Sequence, residues 1–251
     1  MSFYQLNKTE RQKLVTKISN DILSDIEKAT NKKVSQYFSD DDTYIRKTAY
    51  LAIGKIYKQD KKLKKIILSM LNSLIKSDNE KIRQTVINAS GEIGIIDFRT
   101  VEILMEEGLF DSHHSVRNAV IGSIKKMGEK NLKPVLAFAK KYLHHNDKEI
   151  RREICHGIEL RGRKNPEDIL PLLKELQFDK TARVRNTLVH VLGQIAYKKG
   201  CLEIVITDLK NWNNKELVAD ALEEIIDVHD RYKNFAVKTQ NEARKYIEEN
   251  I

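Results

Sequence analysis

Five arginines recur at a nearly constant interval along the chain, and this repeat constrains the fold more than any other feature. The spacings between them are 37, 34, 34 and 34 residues, and each arginine follows an isoleucine or a valine. These residues, called the ladder arginines below, are Arg46, Arg83, Arg117, Arg151 and Arg185. A constant local pattern with a period of about 20–50 residues is typical of proteins built from stacked repeats.

Each repeat is predicted to be a pair of helices. Apolar or small residues follow most ladder arginines at offsets of three, six or seven, and ten, which return to one face of an α-helix. A further amphipathic run precedes each repeat of this pattern after the first. These runs are 63–75, 101–110, 132–143, 169–176 and 202–209. Because only three prolines and ten glycines interrupt the chain, we predict an all-α solenoid with each arginine near the start of a second helix.

The two ends depart from the repeat, as the terminal repeats of a solenoid usually do. Residues 1–38 are predicted to form an N-terminal helical cap that contains a long polar helix and a short second one. The pattern persists near residues 217–226, although Val218 takes the place of arginine. Residues 228–251 are predicted to form a C-terminal cap, whose helix opens with a capping box of Thr239 and Glu242. Because no linker is visible, we expect residues 1–251 to form a single solenoid.

Composition limits the setting and the partners. The chain carries a formal net charge of +9 with a pI near 9.3. A net positive charge of this size attracts polyanions such as nucleic acid. A solvated surface rich in lysine, without any such partner, gives the same net charge. The spacing of the two cysteines fits neither a metal-ligand motif nor a disulfide framework. No apolar segment follows Met1, and no run reaches the roughly 18 residues needed to cross a bilayer. We therefore expect a cytoplasmic protein without a membrane partner.

The pattern at residues 42–56 is Asp-x-x-Ile-Arg-x-x-Ala-x-x-Ala-x-Gly-x-Ile. It resembles the short, bilin-lyase-type HEAT repeat, and the resemblance extends over residues 35–227. The resemblance implies a right-handed superhelix of about six helix pairs, in which the second helix of each pair lines the concave side. HEAT proteins include scaffolds, transport receptors, bilin-lyase subunits and bacterial glycosylases for alkylated DNA, so the resemblance does not imply one activity.

Polar side chains on the second helices are the main candidates for a binding surface. Positions one, five and nine after each ladder arginine lie on one stripe of the helix, and neighbouring helix axes are roughly 8–10 Å apart. The polar members of this set are Asn88, Asn118, Arg152, His156, Asn186, His190 and Gln194. They are expected to line one groove as a ligand surface, although ordinary solvation also places polar residues on an outward stripe.

Arginine is concentrated between residues 151 and 185, where Arg152, Arg161, Arg163 and Arg183 join two ladder arginines. Arginine is favoured for phosphate recognition. The alternative is an internal salt-bridge network with Glu153, Glu159 and Asp179. Arg161 occupies an apolar position of the repeat, so it must be paired or its helix must end early.

The ladder arginines themselves have two interpretations. Five guanidinium groups in a row are able to follow a phosphate backbone. In HEAT-like repeats, however, such arginines usually pair with an acidic residue a few positions earlier or in the next repeat. Asp42, Asp78 and Asp147 are placed for this structural role, which we favour.

The histidines and cysteines do not predict a metal site or a cofactor. His156 and His190 hold equivalent positions in neighbouring repeats, but a third ligand is expected only if the helix is rotated to bring in Glu159 or Cys155. We therefore expect no metal, and Cys155 is interpreted as a core residue.

The leading hypothesis is a HEAT-repeat binding protein that engages duplex DNA through phosphate contacts. The candidate contact residues are Asn118, Arg152, His156, Arg161, Arg163, Arg183, Asn186 and His190. One alternative is a protein–protein scaffold without catalysis. Another is a repair enzyme, because residues 150–212 are loosely similar to HEAT-like alkylpurine DNA glycosylases. In that case Glu92 or Glu159 is the acidic group of the groove, and Trp212, the only tryptophan, follows a first helix.

Overall fold

The computed structural model describes residues 3–251, and within this range the regular elements are α-helices and short 3-10 turns, with no strand. The chain divides into two compact units, residues 1–131 and 132–251. Helices alternate as the sequence predicts, with a first and a second helix in each repeat. The all-α prediction is therefore confirmed. Among the described residues, no helix is both long and apolar enough to cross a membrane.

In the first unit the second helices pack side by side, α3 against α5 and α5 against α7. Its helices are α1 (Lys8–Glu27), α2 (Lys32–Phe38), α3 (Thr43–Gln59), α4 (Lys64–Leu74), α5 (Glu80–Asp97), α6 (Glu102–Leu109) and α7 (His114–Gly128). Small residues allow close approach. A Cβ atom on Gly91 of α5 would lie 2.5 Å from the hydroxyl oxygen of Ser123 on α7. The predicted long and short helices of the N-terminal cap correspond to α1 and α2.

In the second unit α9 packs against α12, and α12 against α14. Its helices are α8 (Leu132–Tyr142), α9 (Lys148–Gly157), α10 (Glu159–Gly162), α11 (Leu170–Glu175), α12 (Ala182–Gln194), α13 (Cys201–Leu209), α14 (Lys215–Arg231) and α15 (Gln240–Asn250). The capping box of Thr239 and Glu242 opens α15 as predicted. The cap begins later than residue 228, because α14 continues to Arg231 and buries Val228 and His229.

Every ladder arginine is the fourth residue of its helix and makes the same backbone contact. Its Nη1 donates to the carbonyl oxygen six residues earlier, in the turn before the helix. These carbonyls belong to Asp40, Ser77, Asp111, His145 and Asp179. A long side chain in the first helical turn points back towards the N-terminus, which brings the guanidinium onto this turn. The structural interpretation of the ladder is therefore supported.

The acidic partners of Arg83 and Arg151 lie in the next repeat, and Asp179 is one of the residues that the salt-bridge alternative named, whereas Asp42, Asp78 and Asp147 are not those partners. Arg83 donates to both carboxylate oxygens of Asp111, at 2.7 and 3.1 Å, and Arg151 donates to both oxygens of Asp179, at 2.5 and 3.0 Å. Each aspartate lies in the turn of the following repeat. The three candidates named from sequence lie in the turns before the helices. Asp42 and Asp147 accept the backbone N–H groups of Tyr44 and Glu149 as N-caps, and Asp78 offers its carbonyl oxygen to Arg83.

Candidate functional site

A polar pocket of about 490 Å³ lies between α9 and α12, two neighbouring second helices of the second unit. The residues that line this α9–α12 pocket are Arg152, His156, Arg183, Asn186, Thr187 and His190. Arg152 and Asn186 follow their ladder arginines by one position, and His156 and His190 follow by five. This is the register that the sequence predicts for one shared face. Five of the candidate contact residues are thus brought together.

Glu149, at the start of α9, holds both arginines of the α9–α12 pocket. Its Oε2 accepts from Nε of Arg152 at 2.9 Å, and its Oε1 lies 3.1 Å from Nε of Arg183. Arg152 also lies 3.5 Å from the buried carboxylate of Glu153. Ordering two long side chains in the free protein lowers the entropy that a ligand must remove when it binds. The pocket therefore presents two guanidinium groups, of which Arg152 is the more buried and Arg183 the more exposed.

The helix that carries Arg151 breaks after Gly157 and resumes as the single turn α10. Arg161, near the end of this turn, donates its Nε to Oδ2 of Asp168 at 2.6 Å. The sequence required that Arg161 be paired or that its helix end early, and both conditions hold. Asp168 lies in the 3-10 turn Pro166–Asp168. Arg161 does not line the α9–α12 pocket.

Arg163 belongs to a partly buried polar network behind the α9–α12 pocket. It donates to Oε1 of Glu159 at 2.5 and 2.8 Å and to Oε1 of Gln194 at 2.8 Å. Its guanidinium also lies 6.0 Å from the ring centre of Tyr197. Glu159 and Gln194 are each only 1% exposed. The expectation that Gln194 faces outward is wrong, because its amide is turned inward to accept from Arg163.

The two histidines of the pocket are neighbours, and each lies beside a glutamate. The ring centres of His156 and His190 are 5.8 Å apart in an edge-to-face arrangement. Nε2 of His156 is 3.1 Å from Oε2 of Glu159, and Nδ1 of His190 is 3.6 Å from Oε1 of Glu224. The sequence-based expectation of no metal depended on the lack of a third ligand. That premise does not hold, because Glu159 lies beside both imidazoles.

The remaining candidate contact, Asn118, is exposed on α7 in the first unit. A smaller pocket of about 290 Å³ lies in the same unit between α3 and α5. It is lined by Thr43, Tyr44, Arg46, Lys47, Tyr50, Gln84 and Asn88. Lys47, Gln84 and Asn88 hold the same offsets from their ladder arginines as the residues of the α9–α12 pocket. The same helix face is therefore open in both units.

Residues before the ladder arginine also shape this face, and the sequence analysis missed them. Glu149 precedes Arg151 by two positions, and the candidate stripe was counted only from positions after the arginine. Thr187 was missed because it lies between two stripe positions. An acidic residue three positions before a polar stripe residue, as Glu149 is before Arg152, is the signal that was available.

The groups needed for a catalytic interpretation are paired or buried. Trp212 is fully buried and donates its Nε1 to Asp208 at 2.6 Å. Glu92 forms an ion pair with Lys126. Cys155 is buried in the core, as predicted, and burial raises the pKa of its thiol. A neutral buried thiol is a poor nucleophile.

Residues 11–159 match the family model described as Cnd1, non-SMC mitotic condensation complex subunit 1. This chain belongs to the Cnd1 family. The Cnd1-family match covers the N-terminal cap and the repeats up to α10, so the HEAT-like interpretation of the sequence is confirmed. No curated protein sequence matches this Cnd1-family chain significantly.

Solved structures similar to this Cnd1-family chain are also HEAT-like. AlkD2 from Streptococcus mutans has a TM-score of 0.57 at 16% identity, over 81% of this chain and 97% of that one. AlkC from Pseudomonas fluorescens, bound to DNA containing an abasic site analog, has a TM-score of 0.50 at 13% identity. This match covers 84% of this chain and 62% of AlkC. The protein smu.31 from Streptococcus mutans UA159 has a TM-score of 0.48 at 18% identity, over 82% of this chain and 95% of that one. The likenesses to AlkD2 and AlkC establish the fold, a HEAT-like α-solenoid.

Proposed function

We propose that this chain is a HEAT-repeat binding protein that engages the phosphate groups of duplex DNA through the face of its second helices. The α9–α12 pocket is the main contact. The observation that carries the proposal is the composition of the pocket lining: two arginines, two histidines, an asparagine and a threonine, with the carboxylate of Glu149 shared between the two arginines. The net charge of +9 favours a polyanionic partner.

The wall of the α9–α12 pocket suits a phosphate group better than a base edge. Arginine offers paired N–H donors that match phosphate oxygens, and asparagine and threonine donate single hydrogen bonds. Arg183 reaches furthest into solvent, with 63% of its side chain exposed. Contacts of this kind position a protein on DNA without reading its sequence. We therefore expect binding that is independent of sequence and weakens steeply with salt.

The other candidate residues take different roles in this proposal. Asn118 is a further DNA contact from the first unit, because it holds the stripe position of α7. Arg163 supports the site through its ion pair with Glu159, which contacts His156, whereas Arg161 is paired with Asp168 and acts on the site only by ending the helix that carries it. AlkC shares only the fold with this chain, so its bound DNA shows what the fold accommodates, and the proposal depends on the residues named here.

Binding to a fluorescent DNA duplex, followed by anisotropy at several salt concentrations, tests the proposal. The logarithm of the binding constant should fall with the logarithm of salt by about 0.9 per phosphate contacted. Arg183→Ala should weaken binding and reduce that slope by about one. Arg244→Ala, on the exposed face of α15, removes the same charge from the same unit and is the matched control. Absence of binding at low salt, or equal losses in both variants, contradicts the proposal.

A scaffold function is the second candidate, and a groove between α11 and α13 favours it. This groove of about 470 Å³ is lined by Glu167, Leu170, Pro171, Glu203, Ile204, Thr207, Asp208 and Asn211. An apolar floor between carboxylates suits an apolar peptide with basic flanks. The matching family is described as a subunit of a condensation complex, which supports a protein partner. If the protein does not bind DNA at low salt, this groove becomes the leading candidate for a contact surface.

The described residues favour binding over base excision. A glycosylase needs an acidic group open to the groove, whereas Glu159 is 1% exposed and Glu92 is paired with Lys126. The measurement that separates the two is release of a methylated base from DNA by the wild-type protein. We expect binding without release.

A further inference from the structure

The cluster of His156, Glu159 and His190 is not explained by phosphate binding alone. One ligand atom from each residue lies within 4.8 Å of the other two. The cluster borders the α9–α12 pocket, because both histidines line that pocket and Glu159 is bonded to His156. Phosphate recognition uses cationic or neutral donors, whereas Glu159 places a carboxylate against His156 and within 4.8 Å of His190.

We propose that His156, Glu159 and His190 bind a divalent transition metal of the zinc class. Two imidazole nitrogens and one carboxylate oxygen, with a further position open to solvent, make up a ligand set that zinc uses in sites that exchange a ligand. Magnesium and calcium prefer oxygen ligands throughout. The site is therefore selective for zinc and its neighbours over the alkaline-earth ions.

The distances require only a small adjustment on binding. Tetrahedral zinc with bonds of about 2.0–2.2 Å holds its ligand atoms roughly 3.3–3.5 Å apart. Oε2 of Glu159 and Nε2 of His156 are already 3.1 Å apart. The larger movement falls on His190, whose side chain is 43% exposed. Glu159 is the fixed ligand and His190 is the one that closes the site.

The surroundings of the cluster resemble the outer shell of a metal site. Arg163 holds Oε1 of Glu159 at 2.5 Å, and Arg163 is itself bonded to Gln194, so the other oxygen, Oε2, is the one directed at His156. Glu224 lies 3.6 Å from Nδ1 of His190. Carboxylates beside ligating histidines and hydrogen bonds to ligating carboxylates orient the ligands of metal sites. The cluster has both features: a carboxylate beside a histidine and a hydrogen bond to the ligating carboxylate.

The charges around the cluster also accommodate a cation. Its neighbourhood contains the guanidinium groups of Arg152, Arg163 and Arg183. It also contains the carboxylates of Glu149, Glu153, Glu159 and Glu224. A fourth guanidinium group, that of Arg231, lies 3.0 Å from Glu224. The four negative and four positive charges therefore cancel, so the neighbourhood does not repel a cation, and one divalent ion gives the site two positive charges. The open position on the metal would then take water or an anion from the pocket.

Titration of the full-length protein with Co²⁺ tests the proposal, since bound cobalt reports its ligands by visible absorption. We expect one equivalent to bind with the intense bands of a four-coordinate site, and Zn²⁺ to displace it while Mg²⁺ does not. His190→Ala should weaken binding at least about tenfold. His144→Ala is the matched control, because His144 pairs with Glu175 at 2.7 Å in the same unit but is not part of the cluster.

Three outcomes overturn the proposal: no cobalt spectrum, binding unchanged by His190→Ala, or equal loss in His144→Ala. Glu159→Gln should also weaken cobalt binding, and its thermal unfolding curve shows whether the variant is folded. If it is not, His190→Ala decides, because that side chain is half exposed. The metal proposal does not depend on DNA binding. Loss of the cobalt spectrum with intact DNA binding would reject the metal site alone.

Discussion

The buried pair of Arg151 and Asp179 allows the structural role of the ladder to be tested quantitatively. Only 6% of each side chain is exposed. Arg151 donates to both oxygens of Asp179 and also to the carbonyl oxygens of His145 and Asn146, at 2.7 and 3.0 Å. One side chain therefore joins the turns of two repeats. Arg151→Ala removes this link and leaves the carboxylate of Asp179 buried without its cationic partner.

The expected loss follows from the burial and the bonds. At an effective dielectric of about 20, charge centres roughly 4 Å apart attract by about 4 kcal/mol, and desolvation offsets part of this. Removing one partner of a buried pair costs about 3–5 kcal/mol, because the remaining charge is uncompensated. Asp179 keeps the backbone N–H of Thr181 at 2.9 Å, so we expect the lower end, about 3 kcal/mol. Arg151→Lys keeps the positive charge but cannot donate two parallel hydrogen bonds to the carboxylate. It should lower the free energy of unfolding by about 1–2 kcal/mol.

Urea unfolding followed by circular dichroism measures these losses. Lys245→Ala is the control, because Lys245 and Glu249 form an exposed pair, 77% and 61% accessible. Lys245→Ala should lower the free energy of unfolding by less than about 0.5 kcal/mol. If Arg151→Ala costs less than about 1 kcal/mol, or no more than the control, the ladder does not hold neighbouring repeats together. The arginines would then have to be explained by an external ligand.

The same pair predicts a dependence on pH. Burial alone raises the pKa of Asp179, but the hydrogen bonds from Arg151 and Thr181 outweigh burial and hold the pKa below its usual value. A lowered carboxyl pKa stabilises the fold above the unfolded value of about 3.9, and this contribution is lost as pH falls through the folded value. The loss of unfolding free energy caused by Asp179→Asn should therefore be largest at neutral pH and become smaller below about pH 4.

Three further substitutions probe the packing and the caps, each by thermal or urea unfolding. Gly162→Ala should destabilise by about 1–3 kcal/mol, because the new methyl would meet Ile169 and would lie 2.8 Å from Cγ2 of Ile195; a neutral result means that these side chains move aside. Gly122→Ala, which meets nothing within 4 Å on α7, should stabilise by about 0.5–1 kcal/mol, and any loss there contradicts a regular helix. Thr239→Ala removes the cap of α15 and should cost about 1 kcal/mol; an unchanged midpoint would show that this helix end needs no cap.

The fold was predictable because the repeat is encoded locally. Each ladder arginine marks the first turn of a helix, and the apolar offsets after it identify the buried face. Even Val218, which replaces arginine, is the fourth residue of α14 and is buried in the core. Agreement between copies makes such a signal stronger than the propensity of any one segment. The helix pairs and their order therefore followed from sequence alone.

The partners of the ladder arginines were less predictable. The sequence named Asp179 as a member of a salt-bridge network without assigning it to Arg151, and it did not name Asp111, because both aspartates lie in the next repeat. Asp111 and Asp179 are each 28 residues after their arginines, and this separation becomes visible only when the turn of the next repeat is packed against the helix. Aspartates near the helix start have a competing role, since a carboxylate there caps the free N–H groups. Local spacing alone does not distinguish the two roles, and Asp147 was misassigned for that reason.

The fourth repeat departs from the others, and the site lies there for a physical reason. A regular helix after Arg151 would have put Arg161 into the apolar seam, where an unpaired charge is costly. The break after Gly157 avoids this and pairs Arg161 with Asp168. The same break is followed by Glu159, which is buried and placed between Arg163 and His156. A polar network that stabilises an irregular helix thus also supplies the carboxylate beside the two histidines. Variants that restore an apolar residue at position 161 should therefore change the geometry of Glu159, and with it any ligand bound at His156 and His190.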